Sequence, residues 1–259
     1  MRIALGVEYA GAPYCGWQSQ AGGCGVQDFL ENAIKHIAER SVRTHAAGRT
    51  DTGVHAMMQI VHFESEAARP DSAWVRGVNA FLPDSIRVLW AKNVDEAFHA
   101  RFSATQRSYQ YLLVNSATAP AIKAQQAGWY HLPLNVSAMQ EGVSYLQGEH
   151  DFSAFRASEC QAKSPIKNLQ VASIKAHGEF VIFNFSASAF LQHQVRNMVG
   201  ALVYVGNGKH PPEIIKNLLE QKDRALSPPT FSPSGLYLTG VAYDAKFGLP
   251  NTQRALTLI

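Results

Sequence analysis

The stretch Ala47-Gly48-Arg49-Thr50-Asp51-Thr52-Gly53-Val54-His55 places one carboxylate between two glycines. Glycines on both sides let the backbone turn sharply or approach a ligand closely. An apolar run from Met57 to Phe63 follows, which predicts that this loop leads directly into a strand. Two interpretations of Asp51 are open at this point: it is either a reactive group displayed by the loop or an ordinary turn residue that caps a backbone amide.

The sequence on either side of this loop predicts strands and helices in alternation. Apolar residues at every second position predict a strand over Arg2–Tyr9, and helical spacing predicts a helix over residues 26–40. A second helix begins at Pro70 and ends before Pro83, and a further strand covers Ile86–Val94. With the strand that follows the loop, the first half of the chain has the order β-α-β-α-β.

The second half contains the same kinds of element, and Asn135 is the expected N-cap of its first helix. The predicted elements are strands over 108–114 and 236–243, a hairpin over 171–185, and helices over 134–146, 190–204 and 211–219. The fold class is therefore α+β. We expect an N-terminal half of residues 1–103, which carries the Asp51 loop, and a C-terminal half of residues 104–259.

The composition is that of a folded globular protein, because 46% of the 259 residues are hydrophobic and 17% are charged. The net charge is only +3, but the charges are unevenly distributed. No Asp or Glu occurs between residues 97 and 140 or between 180 and 212, whereas both windows contain arginine, lysine and histidine. This pattern predicts a positive face suited to a phosphate backbone. The alternative is that these windows are buried strands with few charges of either sign.

The three cysteines, Cys15, Cys24 and Cys160, have neither CxxC spacing nor an even count. This predicts reduced thiols rather than a disulfide framework or a zinc site. The N-terminus reaches Glu8 too soon for the apolar region of a signal peptide. No apolar run approaches the roughly 20 residues that cross a bilayer. We therefore expect a soluble, cytoplasmic protein that does not bind a membrane.

Separate motifs, in the expected chain order, resemble those of the TruA family of tRNA pseudouridine synthases. Residues 47–55 are similar to the family's G-R-T-D-A-G-V-H-A loop, with Thr52 in place of the usual alanine. Residues 107–111 resemble its Arg/Lys-x-Tyr-x-Tyr strand, and residues 190–200 its F-L-x-H-x-V-R-N-x-V-G helix. Residues 234–238 resemble its P-x-G-L-Y strand, although the preceding Phe231-Ser232-Pro233 departs from the usual pattern.

The resemblance implies a tRNA pseudouridine synthase that isomerises uridine in the anticodon arm, at positions 38 to 40 in tRNA numbering. By the same resemblance, Asp51 is the nucleophile and Tyr109 stacks on the target uracil. Arg196 pairs with Asp51, Arg49 fills the space left by the displaced uridine, and Leu236 lines the uracil pocket.

The same resemblance also implies the architecture and the partners. The expected fold is two ferredoxin-like (RRM-like) halves that form a continuous, mainly antiparallel sheet, with helices packed on one side and a central catalytic cleft. The expected partner is tRNA, rather than DNA, bound by a homodimer. The reaction requires no metal and no other cofactor.

Three alternatives are weighed against this function. His45, Asp51, His55 and His62 are conceivable metal ligands, but they lack HExxH or similar spacing. An RNA-binding module of the same fold without catalysis would not need Asp51, Tyr109 and Arg196 together. An aspartate-nucleophile hydrolase or phosphotransferase would need a second acid and Mg²⁺ ligands, and Asp51 is the sole acid between residues 40 and 62.

Overall fold

A computed structural model describes residues 1–256 and divides the chain into two compact units. The first unit contains Met1–Gln106 together with the chain from Tyr237 onward, and the second contains Arg107–Leu236. The expected division was into residues 1–103 and 104–259. It places the strand that begins near Tyr237 in the C-terminal half, whereas the structure places that strand in the first unit. Among the described residues, none of the helices has the length and apolar character needed to cross a membrane.

The elements of both units follow the predicted order closely. The strands are β1 (Arg2–Tyr9), β2 (His45–Ala46), β3 (His55–Glu64), β4 (Ile86–Val94), β5 (Ala104–Asn115), β6 (Gly128–Tyr130), β7 (Gly148–Asp151), β8 (Ile166–His177), β9 (Phe180–Ala187) and β10 (Leu236–Tyr243). The α-helices are α1 (Val26–Ala38), α2 (Asp71–Phe81), α3 (Val136–Ser144), α4 (Gln194–Gly206) and α5 (Ile214–Gln221). The short strands β2, β6 and β7 were not predicted from the sequence, because two to four residues give no periodicity to detect.

The sheet of the first unit has the strand order β4-β1-β3-β10, with β2 paired to β3. β1 is antiparallel to both neighbours, so Leu5 lies opposite Val61 on one side and Ala91 on the other. A central strand of this kind is buried along most of its length, whereas its alternating pattern predicted burial of one face. β10 joins the sheet in parallel with β3, where Tyr237 lies opposite His55. This pairing places the last strand beside the end of the Asp51 loop.

The sheet of the second unit has the strand order β5-β9-β8-β7, with β6 paired in parallel to β5. The β5–β9, β9–β8 and β8–β7 pairings are antiparallel, and α3 packs on β8 and on α4. The predicted N-cap is confirmed, since the Asn135 side chain accepts a hydrogen bond from the backbone N–H of Ala138 at 3.1 Å. Each unit thus combines a mainly antiparallel sheet with helices, which confirms the α+β class.

Helix α4 begins four residues later than the apolar run predicted. His193 adopts a left-handed conformation with φ of 61°, and the Gln194 side chain accepts a hydrogen bond from the backbone N–H of Leu191 at 2.8 Å. Residues 190–193 therefore form a turn before the helix. Nearly every residue of α4 is buried, and Arg196 in its first turn is half-buried.

Candidate active site

The Asp51 loop connects β2 to β3, and hydrogen bonds fix its backbone at both ends. The N–H of Ala47 donates to the carbonyl of Ile60 at 2.8 Å, and the Gln59 side chain donates to the carbonyl of Gly48 at 2.7 Å. At the other end, the N–H of Val54 donates to the carbonyl of Asp51 at 3.1 Å and closes a four-residue turn. The loop is therefore a fixed structure that leads into the sheet.

The turn in the loop requires a glycine at position 53. It is the third residue of the turn that Asp51 begins, and its φ is 79°. A type II turn requires a positive φ at this position, which glycine adopts without steric cost. Asp51 itself is half-buried and Arg49 is exposed, so the loop presents a carboxylate and a cation two residues apart.

Thr50 attaches the loop to the interior of the first unit. Its side chain is buried, and its hydroxyl shares a 2.7 Å hydrogen bond with the hydroxyl of Tyr9. Its carbonyl accepts a hydrogen bond from the backbone N–H of Trp17 at 3.0 Å. Because these contacts flank Asp51 directly, they limit the positions that the carboxylate can occupy.

The segment between β1 and α1 lies against the Asp51 loop, a contact that the sequence did not predict. A Cβ atom on Gly11 would lie 1.9 Å from the carbonyl oxygen of Val54, and one on Gly16 would lie 2.7 Å from that of Thr50. Gly16 also has a φ of 91°. Both glycines are thus positions where two backbones meet. The density of glycines in residues 11–25 was the available signal, but it did not identify the partner.

A disulfide joins Cys15 and Cys24 in this segment, so the prediction of reduced thiols is wrong for these two residues. The backbone N–H of Cys15 donates to the carbonyl of Cys24 at 3.0 Å, and the two Cα atoms lie 5.4 Å apart, a spacing that suits a disulfide. The sequence pattern failed because this spacing results from the fold of the loop and not from a CxxC motif. Cys160 is buried and forms no disulfide.

His55 has a structural position at the end of the loop. It is buried, its Nδ1 accepts a hydrogen bond from the N–H of Gly11 at 3.0 Å, and its ring stacks on Tyr237 with centroids 4.7 Å apart. Burial raises the pKa of Tyr237 to about 12, so this hydroxyl stays protonated at neutral pH. In residues 1–256 no three His, Cys, Asp or Glu side chains are grouped in a way that could hold a metal ion.

In the second unit, the other motifs converge on β5. Tyr109 is half-buried, and its ring meets that of Phe190 nearly at right angles, with centroids 5.1 Å apart. The hydroxyl of Tyr111 donates to the carbonyl of Ser232 at 2.9 Å. Residues about 80 and 120 positions apart in the sequence therefore meet at one strand.

Arg196 contacts the segment that precedes β10. Its Nε donates to the carbonyl of Phe231 at 2.9 Å, and its own carbonyl accepts a hydrogen bond from the N–H of Phe231 at 3.3 Å. Leu236, the last residue of the second unit, is buried. The predicted site residues therefore form two groups: Asp51 and Arg49 on one loop of the first unit, and Tyr109, Arg196 and Leu236 in the second.

Comparison with known proteins identifies relatives along nearly the whole chain. A family model described as tRNA pseudouridine synthase matches residues 6–103 and 143–244. The tRNA pseudouridine synthase A of Methylobacillus flagellatus is 63% identical over 258 residues, which cover 100% of this chain and 99% of that protein. The proteins of the same name from Chromobacterium violaceum and Thiobacillus denitrificans are 54% identical over 259 residues and 52% identical over 252 residues, respectively. These alignments cover 100% and 97% of this chain, and 99% and 97% of the two relatives.

Proposed function

Since the chain belongs to the tRNA pseudouridine synthase family, an isomerase family that converts uridine in tRNA to pseudouridine, we propose that Asp51 is the nucleophile of this reaction. The observation that carries the proposal is the Asp51 loop itself. It holds one half-buried carboxylate between backbone segments that buried hydrogen bonds fix on both sides. Fixed geometry of this kind lowers the barrier of a reaction because the reacting groups are already oriented.

The chemistry needs only one carboxylate from the protein. The bond between N1 and C1′ breaks, the uracil turns, C5 bonds to C1′, and the proton on C5 is lost while N1 gains one. A carboxylate promotes these steps by adding to C1′ of the sugar or to C6 of the base, and it is expelled before the product leaves. In either pathway, Asp51 is the carboxylate that adds to the substrate and is later expelled.

Tyr109 is the residue that we assign to the uracil ring. Its aromatic face is suited to stacking on a base that has left the RNA stack. Its hydroxyl is a candidate base for the C5 proton in the last step. The contact with Phe190 supports this role, because it limits the orientations of the Tyr109 ring.

Two arginines have separate roles in the proposal. Arg196 is the cation that we assign as the partner of the Asp51 carboxylate. The hydrogen bond from Nε to the carbonyl of Phe231 supports this role by fixing the direction of the guanidinium. Arg49, exposed on the Asp51 loop, fills the space that the displaced uridine leaves, which offsets part of the unstacking cost of a few kcal/mol. Leu236 contributes an apolar wall to the uracil pocket.

We further propose that the target uridines lie at positions 38 to 40 of the anticodon arm. We also propose that the enzyme acts as a homodimer and that it works in the cytoplasm. These assignments rest on the resemblance of the four motifs to those of the family. Thr52, in place of the family's alanine, is exposed, so it adds a hydroxyl beside the nucleophile without filling the interior.

The test is carbodiimide-based pseudouridine mapping of an unmodified tRNA transcript, incubated with the protein in excess EDTA. We expect new reverse-transcriptase stops in the anticodon arm with the wild-type protein and none with Asp51→Asn, which keeps the size of the side chain. Asp71→Asn, at an exposed position on α2, is the matched control and should retain activity.

Other patterns of stops would change the assignment in defined ways. Stops outside the anticodon arm would preserve the chemistry and overturn the target positions. Full activity of Asp51→Asn would refute the role of Asp51. The absence of stops despite tight, salt-sensitive tRNA binding would indicate an RNA-binding protein without catalysis.

A further inference from the structure

The first unit has a polar cavity away from the Asp51 loop, with a volume of about 420 Å³. Six of its lining side chains are arginines or histidines: Arg2, Arg40, Arg43, His45, His62 and His99. Glu64 is the acid among the residues that line it. Each of the three arginines also pairs with a glutamate, so the cavity can hold an anion only where an arginine exchanges its carboxylate partner for it.

The distance from Asp51 can be judged along one strand. The Asp51 loop ends at His55, where β3 begins, and His62 lies seven residues further along β3. At about 3.3 Å per residue the separation is about 23 Å. The cavity therefore lies at the end of β3 that is far from Asp51, where His45 of β2 pairs with His62.

The arginines of the cavity differ in how firmly they are held. Arg2 forms an ion pair with Glu64 at 2.6 Å and donates to the carbonyl of Phe98 at 2.7 Å, so its guanidinium is already positioned. The side chain of Arg43 is 58% exposed and lies 3.5 Å from Glu31. Arg40 pairs with Glu66, whose side chain is 83% exposed. The exposed pair of Arg40 and Glu66 contributes little energy, and a phosphate group competes with it readily, whereas the Glu31 partner of Arg43 is only 17% exposed.

The histidines form a cluster of touching rings. The centroids of His45 and His62 lie 5.0 Å apart, and those of His62 and His99 lie 4.6 Å apart. Burial lowers the pKa of His62 to about 3, with further contributions from His99, His45 and Arg2. Burial also lowers the pKa of His99. These two rings are therefore neutral at neutral pH, and they offer N–H donors and flat faces.

Phe102 extends this cluster to the surface. It is 76% exposed, although it is a large hydrophobic residue, and its ring lies against that of His99 with centroids 4.3 Å apart. The guanidinium of Arg101 lies 5.6 Å from the centroid of the Phe102 ring. An exposed aromatic ring beside cations is the arrangement on which unpaired bases of single-stranded nucleic acid stack.

We propose that the cavity and Phe102 together form a second RNA-binding site, which holds a backbone phosphate between Arg40 and Arg43 while the neighbouring unpaired base stacks on Phe102. The site takes an unpaired segment of the tRNA at a distance from the target uridine. The inference rests on the proposed function for the identity of the RNA, and it adds a contact that the isomerisation itself does not require.

The test compares two variants with two matched controls. The double variant R40Q/R43Q removes two cations of the cavity, and F102A removes the ring. R69Q/R87Q is the control for the first, because both of its arginines form ion pairs with acids and lie outside the lining of the cavity. F81A is the control for the second, because Phe81 is 51% exposed and its ring also contacts that of a histidine.

The dissociation constant of an unmodified tRNA transcript is measured by fluorescence anisotropy at several salt concentrations. For F102A we expect binding to weaken about tenfold. For R40Q/R43Q the salt dependence, expressed as the slope of log K against log salt, should fall by about 1 or more. Both controls should match the wild-type protein. The single-turnover rate at saturating tRNA should be unchanged in all four variants.

Other results would overturn the proposal. If R40Q/R43Q and F102A bind tRNA as tightly as their controls, the site does not contact RNA. If calorimetry shows that inorganic phosphate binds the wild-type protein but not R40Q/R43Q, while tRNA binding is equal in both, the cavity is a site for small anions. If sedimentation shows that F102A alone loses self-association, Phe102 contacts a second copy of the chain. A wild-type protein that binds tRNA through this site but forms no pseudouridine would refute the proposed function and leave the RNA site standing.

Discussion

Replacement of Gly16 by alanine should displace the Asp51 loop, although the sequence of the loop itself is unchanged. Gly16 has a φ of 91°, a conformation that L side chains rarely adopt, and its Cα faces the backbone of residues 50–52. A Cβ atom there would lie 2.7 Å from the carbonyl oxygen of Thr50 and 3.1 Å from the carbonyl carbon of Asp51. The neighbouring atoms are backbone, so they cannot rotate away. Either the loop or the 11–25 segment must move.

The size of the effect follows from two contributions. A left-handed conformation costs an alanine about 1–2 kcal/mol relative to glycine. The close approach to the Thr50 carbonyl adds about 1–3 kcal/mol, as overpacking does elsewhere. We therefore expect Gly16→Ala to lower the free energy of unfolding by about 2–5 kcal/mol. Since Asp51 directly follows Thr50, a shift of the loop by a few tenths of an ångström to about 1 Å should reduce kcat by about 10- to 100-fold.

Two other glycines of the same segment separate these contributions. Gly23 has a φ of 66°, but a Cβ atom there would meet nothing within 4 Å, so Gly23→Ala tests backbone strain alone. Gly22 has neither a positive φ nor a close neighbour, so Gly22→Ala tests the substitution itself. Stability is measured by urea denaturation, and activity by release of tritium from tRNA labelled at C5 of uridine.

The expected order of stability is Gly22→Ala, then Gly23→Ala, then Gly16→Ala as the least stable, with a loss of kcat in Gly16→Ala alone. A Gly16→Ala protein with wild-type kcat would show that the 11–25 segment does not position Asp51. An equal loss of kcat in Gly23→Ala would show that the segment acts through its overall conformation and not through the contact at Gly16.

Three further predictions concern the same unit. Reduction of the disulfide, or replacement of Cys15 and Cys24 by serine, should lower the free energy of unfolding by about 2–3 kcal/mol, as expected for a cross-link between residues 9 positions apart, measured by urea denaturation with and without reductant. Tyr9→Phe removes the buried hydrogen bond to Thr50 and should cost about 1–2 kcal/mol in the same assay, with a decrease in kcat. The pKa of His62 is lowered to about 3 by burial and by nearby His and Arg side chains. The unfolded chain therefore takes up a proton below about pH 6.5 that the folded protein does not bind, and stability falls as the pH decreases from there toward 3. This residue contributes a slope of up to about 1.4 kcal/mol per pH unit, which His62→Gln should remove.

The elements of the fold could be predicted largely from the sequence, because long amphipathic segments determine their own type. β1, β4 and β10 have the predicted bounds, and the N-cap of α3 is at the expected residue. The late start of α4 could not be predicted, since it depends on the left-handed His193 and on a side-chain hydrogen bond. The position of β10 in the first unit depends on a pairing between residues 182 positions apart, such as Tyr237 and His55, which a local pattern does not encode.

The candidate site was predicted as a set of motifs but not as a structure. The Asp51 loop, the Tyr109 strand and the Arg196 helix have the positions that their motifs indicated. The contacts of Gly11 and Gly16 with the loop were missed, because a glycine in the sequence does not reveal which backbone approaches it. The two windows without Asp or Glu have different explanations. Residues 180–212 are mostly buried in β9 and α4, which agrees with the alternative interpretation. Residues 97–140 include the exposed Arg101 and Phe102.

The proposed cytoplasmic location implies that Cys15 and Cys24 are reduced there, because thiols in the cytoplasm are held reduced, so the loop would have to keep its shape without the disulfide. The hydrogen bonds of the loop meet this condition. Val26 donates to the carbonyl of Gly16 at 3.1 Å, and Gln27 donates to that of Trp17 at 3.0 Å, so the two sides of the loop are joined without the sulfur atoms. The hydrogen bond from Trp17 to the carbonyl of Thr50 is likewise independent of them. Reduction should therefore lower stability while the position of Asp51, and with it kcat, is preserved.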